Sequence, residues 1–179
     1  MNTDLIVYMM RGMPCCGKSY TAKRLAGDTG VVCETDEYFH TQVGTDPTKY
    51  DYNHDLLPAA RKWNFERFKV AIAERKSPVV VDRGNGRNPE SREYIQYAID
   101  HGYRVEIKEP DSPWWKEICT LLDDKQKNWP LLEQWANRLS EMSQTIHRVP
   151  AEVILHWMAH WMPNLTVQDV LSVPAPPPQ

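Results

Sequence analysis

The sequence predicts an α/β fold, a largely parallel sheet of four to five strands flanked by helices, with a helical insertion in its second half. Short apolar runs alternate with stretches of helical periodicity from residue 5 to residue 107. A glycine-rich turn joins the first run to the first helix. The 179 residues are 41% hydrophobic and 25% charged, a globular mixture of the size of one domain.

Each element has a local reason. Leu5-Ile6-Val7-Tyr8-Met9-Met10 lacks the alternation of a half-exposed strand and stops at Arg11-Gly12, which predicts a buried parallel strand over 4–10. A helix is expected over 18–25, closed by Gly27. Val31-Val32-Cys33 is the second strand, and 57–75 is helical with Trp63, Phe68 and Ile72 at helical spacing. The third strand runs 78–82 through Val79-Val80-Val81. A helix over 89–101 has Pro89 in its first turn, and 103–107 is the fourth strand.

From 113 to 161 the pattern is helical and carries Trp114, Trp115, Trp129, Trp135, Trp157 and Trp161. Tryptophans so spaced are packing anchors first, and base-stacking surfaces second. Pro174 to Pro178 can enter neither a helix nor a central strand, so a disordered or polyproline II tail is expected. The expected organisation is one domain over 1–172, with a helical lid or insertion at about 113–150 and a tail over 173–179.

A formal net charge of −3 argues against gripping long nucleic acid by charge neutralisation, but allows a short strand end in a local basic pocket. No apolar run approaches the ~20 residues that span a bilayer. The first residues carry no basic or apolar leader pattern, so a cytoplasmic protein is expected. Cys15, Cys16, Cys33 and Cys119 have neither zinc-ligand spacing nor a disulfide framework, and reduced thiols are expected.

Gly12-Met13-Pro14-Cys15-Cys16-Gly17-Lys18-Ser19 satisfies G-x-x-x-x-G-K-[ST] between a strand and a helix. This implies a P-loop NTPase fold with ATP and Mg²⁺ as cofactors. The loop's N–H groups cradle the β-phosphate and the helix dipole adds to them, with Tyr20 just beyond. Lys18 would reach the β- and γ-phosphates and Ser19 would offer its hydroxyl to Mg²⁺. A thiol beside Lys18 and a helix N-terminus should lose its proton more easily, which would make Cys15 or Cys16 redox-sensitive. The other reading is that small side chains are tolerated there.

Asp36 and Glu37 follow the second strand, at the edge where open α/β sheets bind ligands. A carboxylate there can take the proton of an attacking hydroxyl, though an Asp after a strand is also an ordinary capping residue. Asp82 ends the third strand as a Walker-B element does, and is a second metal candidate.

Together with the cradle, Thr35-Asp36-Glu37-Tyr38-Phe39, Trp63-Asn64-Phe65-Glu66-Arg67, Ser77 to Asp82 with Asn85, and Glu109-Pro110 resemble the polynucleotide 5′-hydroxyl kinase family, an AAA-type ATP-binding kinase module, across 5–115. The resemblance implies that Asp36 is the general base toward a 5′-hydroxyl. It implies that Asp82 and Asn85 sit beside the phosphates and acceptor, and that Arg67 lines the acceptor side; a solvated helix face is the alternative for Arg67.

The chain departs from the family in the lid, where an Arg-Asn-x-His-Gly-Val-Pro-like segment is usual. Thr145-Ile146-His147-Arg148-Val149-Pro150 resembles its tail, with Arg148 in the glycine's place and Ser143 and Gln144 where the arginine belongs. A tryptophan-rich stretch at about 125–142 precedes it, and Arg83 and Gly84 replace two residues of an Asp-Asn-Thr-Asn pattern. The lid charge would then come from Arg148 first, or from Arg138 or Arg83; the alternative is a weak or altered-substrate kinase.

The expected function is a kinase that moves the γ-phosphate of ATP to a hydroxyl, foremost the 5′-hydroxyl of RNA or DNA. The expected partners are ATP and a single-stranded nucleic acid end or a small hydroxylated substrate, with no membrane. A small-metabolite kinase and a non-catalytic ATP-binding interaction module are the alternatives.

Overall fold

A computed structural model describes residues 4–46, 48–83 and 89–174. In chain order the elements are β1 (Ile6–Met10), α1 (Lys18–Ala26), β2 (Val31–Glu34), α2 (Tyr38–Thr41), α3 (Leu57–Ala73), β3 (Val79–Asp82), α4 (Pro89–Asp100) and β4 (Arg104–Lys108). Then come α5 (Pro113–Leu122), α6 (Lys125–Ser143), α7 (Ala151–Ala159) and α8 (Val167–Leu171). The four described strands form one parallel sheet in the order β2-β3-β1-β4. The expected α/β architecture is present.

Parallel strands need crossovers, and the helices supply them while covering both faces. One face packs Val7, Met9, Val79 and Val81 against Phe68 and Ile72 of α3 and Tyr94 and Ile95 of α4. The other packs Met10 and Val80 against Ala22 and Ala26 of α1. Asn64 is buried between α3 and α4 and donates to the Tyr94 hydroxyl at 3.0 Å, so its place in the motif is structural.

A separate apolar cluster joins α5, α6 and α7 through Trp115, Ile118, Leu132, Leu139, Ile154, Met158 and Trp161. Trp114, Trp129, Trp135 and Trp157 pack partly buried against it, which favours the packing reading of the tryptophans. Met13 and Cys16 of the glycine-rich loop belong to the same cluster, so the helical layer and the loop share one core.

Sequence periodicity missed α8. Thr166 and Asp169 form a reciprocal capping box at its start, and an S/T-x-x-acid pattern is the signal that could have found it. Its Val170 is buried in the main core. Residues 175–179 of the expected tail lie outside the described residues, as does Asn85.

Arg148 adopts φ 51°, a left-handed conformation, and its N–H donates to Ser143 O at 2.8 Å to close the turn after α6. A non-glycine residue there costs roughly 1–2 kcal/mol, against the extra unfolded-state freedom of a glycine at about 0.5–1 kcal/mol. Arg148→Gly is therefore expected to raise stability by about 0.5–1 kcal/mol, read as a melting temperature about 2 °C higher. A lower melting temperature would show that the side chain anchors the turn.

Candidate active site

Strand register sets the site. Glu34 of β2 stands opposite Asp82 of β3, Asp82 opposite Met10 of β1, and Met10 opposite Lys108 of β4, one row along the carboxyl edge of the sheet. The chain leaves β1 into Gly12 to Gly17 and enters α1 at Lys18. Cys15 (φ 59°) and Gly17 (φ 89°) are both left-handed, which curls the loop into a concave nest.

The nest is held from outside. Ser112 Oγ donates to Cys16 O at 2.8 Å, and Trp114 Nε1 donates to Cys15 O at 3.0 Å. In a trans peptide C=O and N–H point opposite ways, so drawing these carbonyls outward turns the N–H groups of Cys16 and Gly17 inward. Pro110 closes over the loop's start, where a side chain at Gly12 would come within 3.1 Å of its ring. Met13 and Cys16 are buried beneath, Pro14 is half-buried and Tyr20 is exposed.

Asp82, buried, binds both key side chains of the loop: Lys18 Nζ lies 3.1 Å from its Oδ1 and Ser19 Oγ 3.1 Å from its Oδ2. Burial works against the Lys18 ammonium, but Asp82, with Asp36 and Glu34 behind it, outweighs that and raises its pKa. The row's other carboxyl, Glu34, is pushed up to about 7 by burial first and then by the negative charge of Asp82 and Asp36. Neither spacing nor the motifs singled out Glu34; its pairing with Asp82 exists only once β2 and β3 are side by side.

Asp36 and Glu37 have different fates. Glu37 accepts from Arg67 Nη1 at 2.7 Å, and the Arg67 guanidinium stacks 4.4 Å over Trp63. Arg67 is thus neither a bare helix face nor a cation facing solvent; its charge is committed beside Asp36. Asp36 itself faces outward at 41% exposure, with the Tyr50 hydroxyl donating to Oδ1 at 3.1 Å and His147 Nδ1 lying 3.6 Å from Oδ2. Tyr50 reaches it from the irregular chain after α2, and His147 from the turn after α6. No periodicity marks either residue.

Burial raises the thiol pKa of Cys15 and pushes that of Cys16 up to about 12, and Cys16 has no exposed surface. This corrects the expectation of a lowered thiol pKa: Lys18 lowers the value for Cys16, but desolvation is the larger effect. All four cysteines are free thiols.

The three lid candidates separate. Arg83 is nearly buried against Glu90, which Arg61 also approaches at 2.9 Å. Arg138 stacks over Trp135 at 4.7 Å on α6. Arg148 is exposed and follows His147, the residue that meets Asp36.

Comparison with known proteins bears on this geometry. Residues 7–119 match the AAA domain family AAA_33, a match that contains the loop, Asp36 and Asp82. The chain is also 30% identical to human NEDD4-binding protein 2 over 174 residues, 96% of this chain. That alignment spans 8% of the relative's length. No helix among the described residues is long and apolar enough to cross a membrane.

Proposed function

The chain belongs to the AAA domain family, and from that premise we propose an ATP-dependent kinase that transfers the γ-phosphate to a hydroxyl, with the 5′-hydroxyl end of RNA or DNA as acceptor. One observation carries the reading: a second carboxylate, Asp36, stands open beside a cradle whose lysine and serine are already gathered by Asp82. A cradle alone binds phosphate. A carboxylate held open at its edge can also take a proton.

The inward N–H groups of Cys16 and Gly17 bind phosphate oxygens, with Gly12 to Tyr20 as the binding stretch. Lys18 exchanges Asp82 for the phosphates and stabilises the charge that gathers there during transfer. Ser19 Oγ and the Asp82 carboxylate are hard oxygen donors at one point, a set that suits Mg²⁺. When bound, that ion neutralises phosphate charge. Among the described residues no cluster of three His, Cys, Asp or Glu could hold a metal by itself, so the fit is to an ion that phosphate oxygens and water also coordinate.

Asp36 accepts the proton of the acceptor hydroxyl as it attacks in line. Arg148, exposed beside His147, supplies positive charge over the transferring group. Support for the 5′-hydroxyl acceptor is the resemblance carried by the Thr-Asp-x-Tyr and Trp-Asn-x-x-Arg motifs around Asp36 and Arg67.

The test is transfer of label from the γ-position of ATP to a 5′-hydroxyl oligonucleotide, run beside a panel of small alcohols. Label on the oligonucleotide is expected, falling about 10²-fold with Asp36→Ala. Label on a small alcohol alone would make the chain a metabolite kinase. ATP bound with no label transferred to any acceptor would make it a binding module.

A further inference from the structure

We infer that His147 is a positioning residue for Asp36, donating Nδ1–H to Oδ2 while the Tyr50 hydroxyl holds Oδ1, so that the carboxylate presents a fixed face to the acceptor. The inference rests on the reading of Asp36 as the base. Four observations support it.

First, His147 Nδ1 is buried and makes no hydrogen bond among the described residues, and the carboxylate oxygen it faces is Asp36 Oδ2 at 3.6 Å. A buried ring nitrogen without a partner costs about 1–3 kcal/mol, and a small rotation would bring it within bonding distance of Asp36. Contacts of this kind are commonly long before substrate binds. Second, the ring is held edge-on by Tyr50, with centroids 4.9 Å apart at 81°. The two residues that flank Asp36 therefore brace each other.

Third, the turn that carries His147 is pinned. Ser140 Oγ donates to Val149 O at 2.7 Å, Val149 N donates to Ser143 Oγ at 2.9 Å, and Arg148 N donates to Ser143 O. These bonds fasten the turn to the end of α6, and α6 shares its core with Met13 and Cys16 of the cradle. His147 thus connects the base, which belongs to the β2 side, to the helical layer that shares a core with the phosphate loop.

Fourth, the ring suits a neutral donor. Burial lowers its pKa, Lys18 and His40 act in the same direction, and Asp36 and Asp82 oppose them. Which nitrogen of a neutral imidazole carries the proton is set by the partner of each, and Asp36 selects Nδ1.

Nuclear magnetic resonance of the full chain labelled with ¹⁵N-histidine tests the contact without turnover. A proton on Nδ1 of His147 at neutral pH, with a resonance that moves in Asp36→Asn, is expected. A proton on Nε2 instead, or no response to Asp36→Asn, overturns the inference.

Kinetics test its consequence. His147→Leu should lower kcat about tenfold or more with the KM for ATP unchanged. His147→Asn, which can place an N–H near the position of Nδ1, should recover most of the loss. An Asn variant as slow as the Leu variant, or a Leu variant as fast as the unaltered chain, would refute it. Silence of the unaltered chain toward every acceptor would instead refute the transfer reading, and the resonance measurement would still decide the contact.

Discussion

Lys18→Ala is expected to lower kcat/KM for phosphoryl transfer by more than about 10³-fold and also to lower the melting temperature by several degrees. The first effect follows from removing a full positive charge from a site that must stabilise developing phosphate charge, where even one neutral donor is worth about 10²–10³. The second follows from Asp82. Asp82 is 3% exposed and its carboxylate lies 3.1 Å from the Lys18 ammonium, so among the described residues the variant leaves its buried charge the Ser19 hydroxyl as hydrogen-bond partner. Breaking a fully buried pair costs about 3–5 kcal/mol, and the partial exposure of Lys18 reduces that to about 2 kcal/mol. At this chain length 2 kcal/mol corresponds to about 6 °C.

The double variant Lys18→Ala/Asp82→Asn separates the two effects, because it removes the stranded charge without restoring the lysine. Its melting temperature should return toward that of the unaltered chain while transfer stays lost. Normal turnover in Lys18→Ala would remove the basis for the catalytic reading.

Arg11→Ala is expected to destabilise the fold by about 3 kcal/mol, whereas Arg11→Met costs less than about 1 kcal/mol. Arg11 ends the approach to the loop and is 1% exposed. Its guanidinium lies 3.6 Å over the Trp161 ring, donates to Met162 O at 2.7 Å and faces Glu109 at 3.7 Å. Glu109 in turn accepts from Trp115 Nε1 at 3.0 Å. Desolvation lowers the pKa of Arg11 to about 10 despite Glu109, and two of its nitrogens, Nε and Nη1, make no hydrogen bond among the described residues.

The packing of Arg11 therefore contributes more than its charge. Truncation to alanine opens a cavity between the sheet and the helical layer and removes the cation that stacks on the Trp161 ring. Methionine fills most of the same volume without a charge to desolvate, and replacement of buried ions by apolar residues is often close to neutral. Equal melting temperatures for the Ala and Met variants would show that the charge, not the volume, matters. Chemical or thermal unfolding of both variants beside the unaltered chain provides the comparison.

The elements that were legible in the sequence are those whose signal is local. Val79-Val80-Val81 reads as a buried strand because both of its faces are covered, and Gly27 reads as a helix end because φ 59° suits glycine. The phosphate loop is legible for the same reason: its function is a backbone shape, and backbone shape is set by residues within a few positions. The boundaries of α1 and α3 accordingly fall within two residues of those expected.

The sequence by itself thus determined the alternation of strands and helices from β1 to β4, α2 apart, with the cradle and the presence of Asp36 and Asp82 at strand ends. Tertiary structure decided which charges remain for chemistry: Glu37 is taken up by Arg67 and Arg83 by Glu90, while Asp36 is left open. It also brought Tyr50 and His147 to Asp36 across separations of 14 and 111 residues, and set Glu34 opposite Asp82. The Glu34 pairing depends on β2 lying beside β3, and the His147 pairing on how the helical layer docks against the sheet. Docking sums many weak apolar contacts between distant segments, and a single sequence carries no local record of which segments meet.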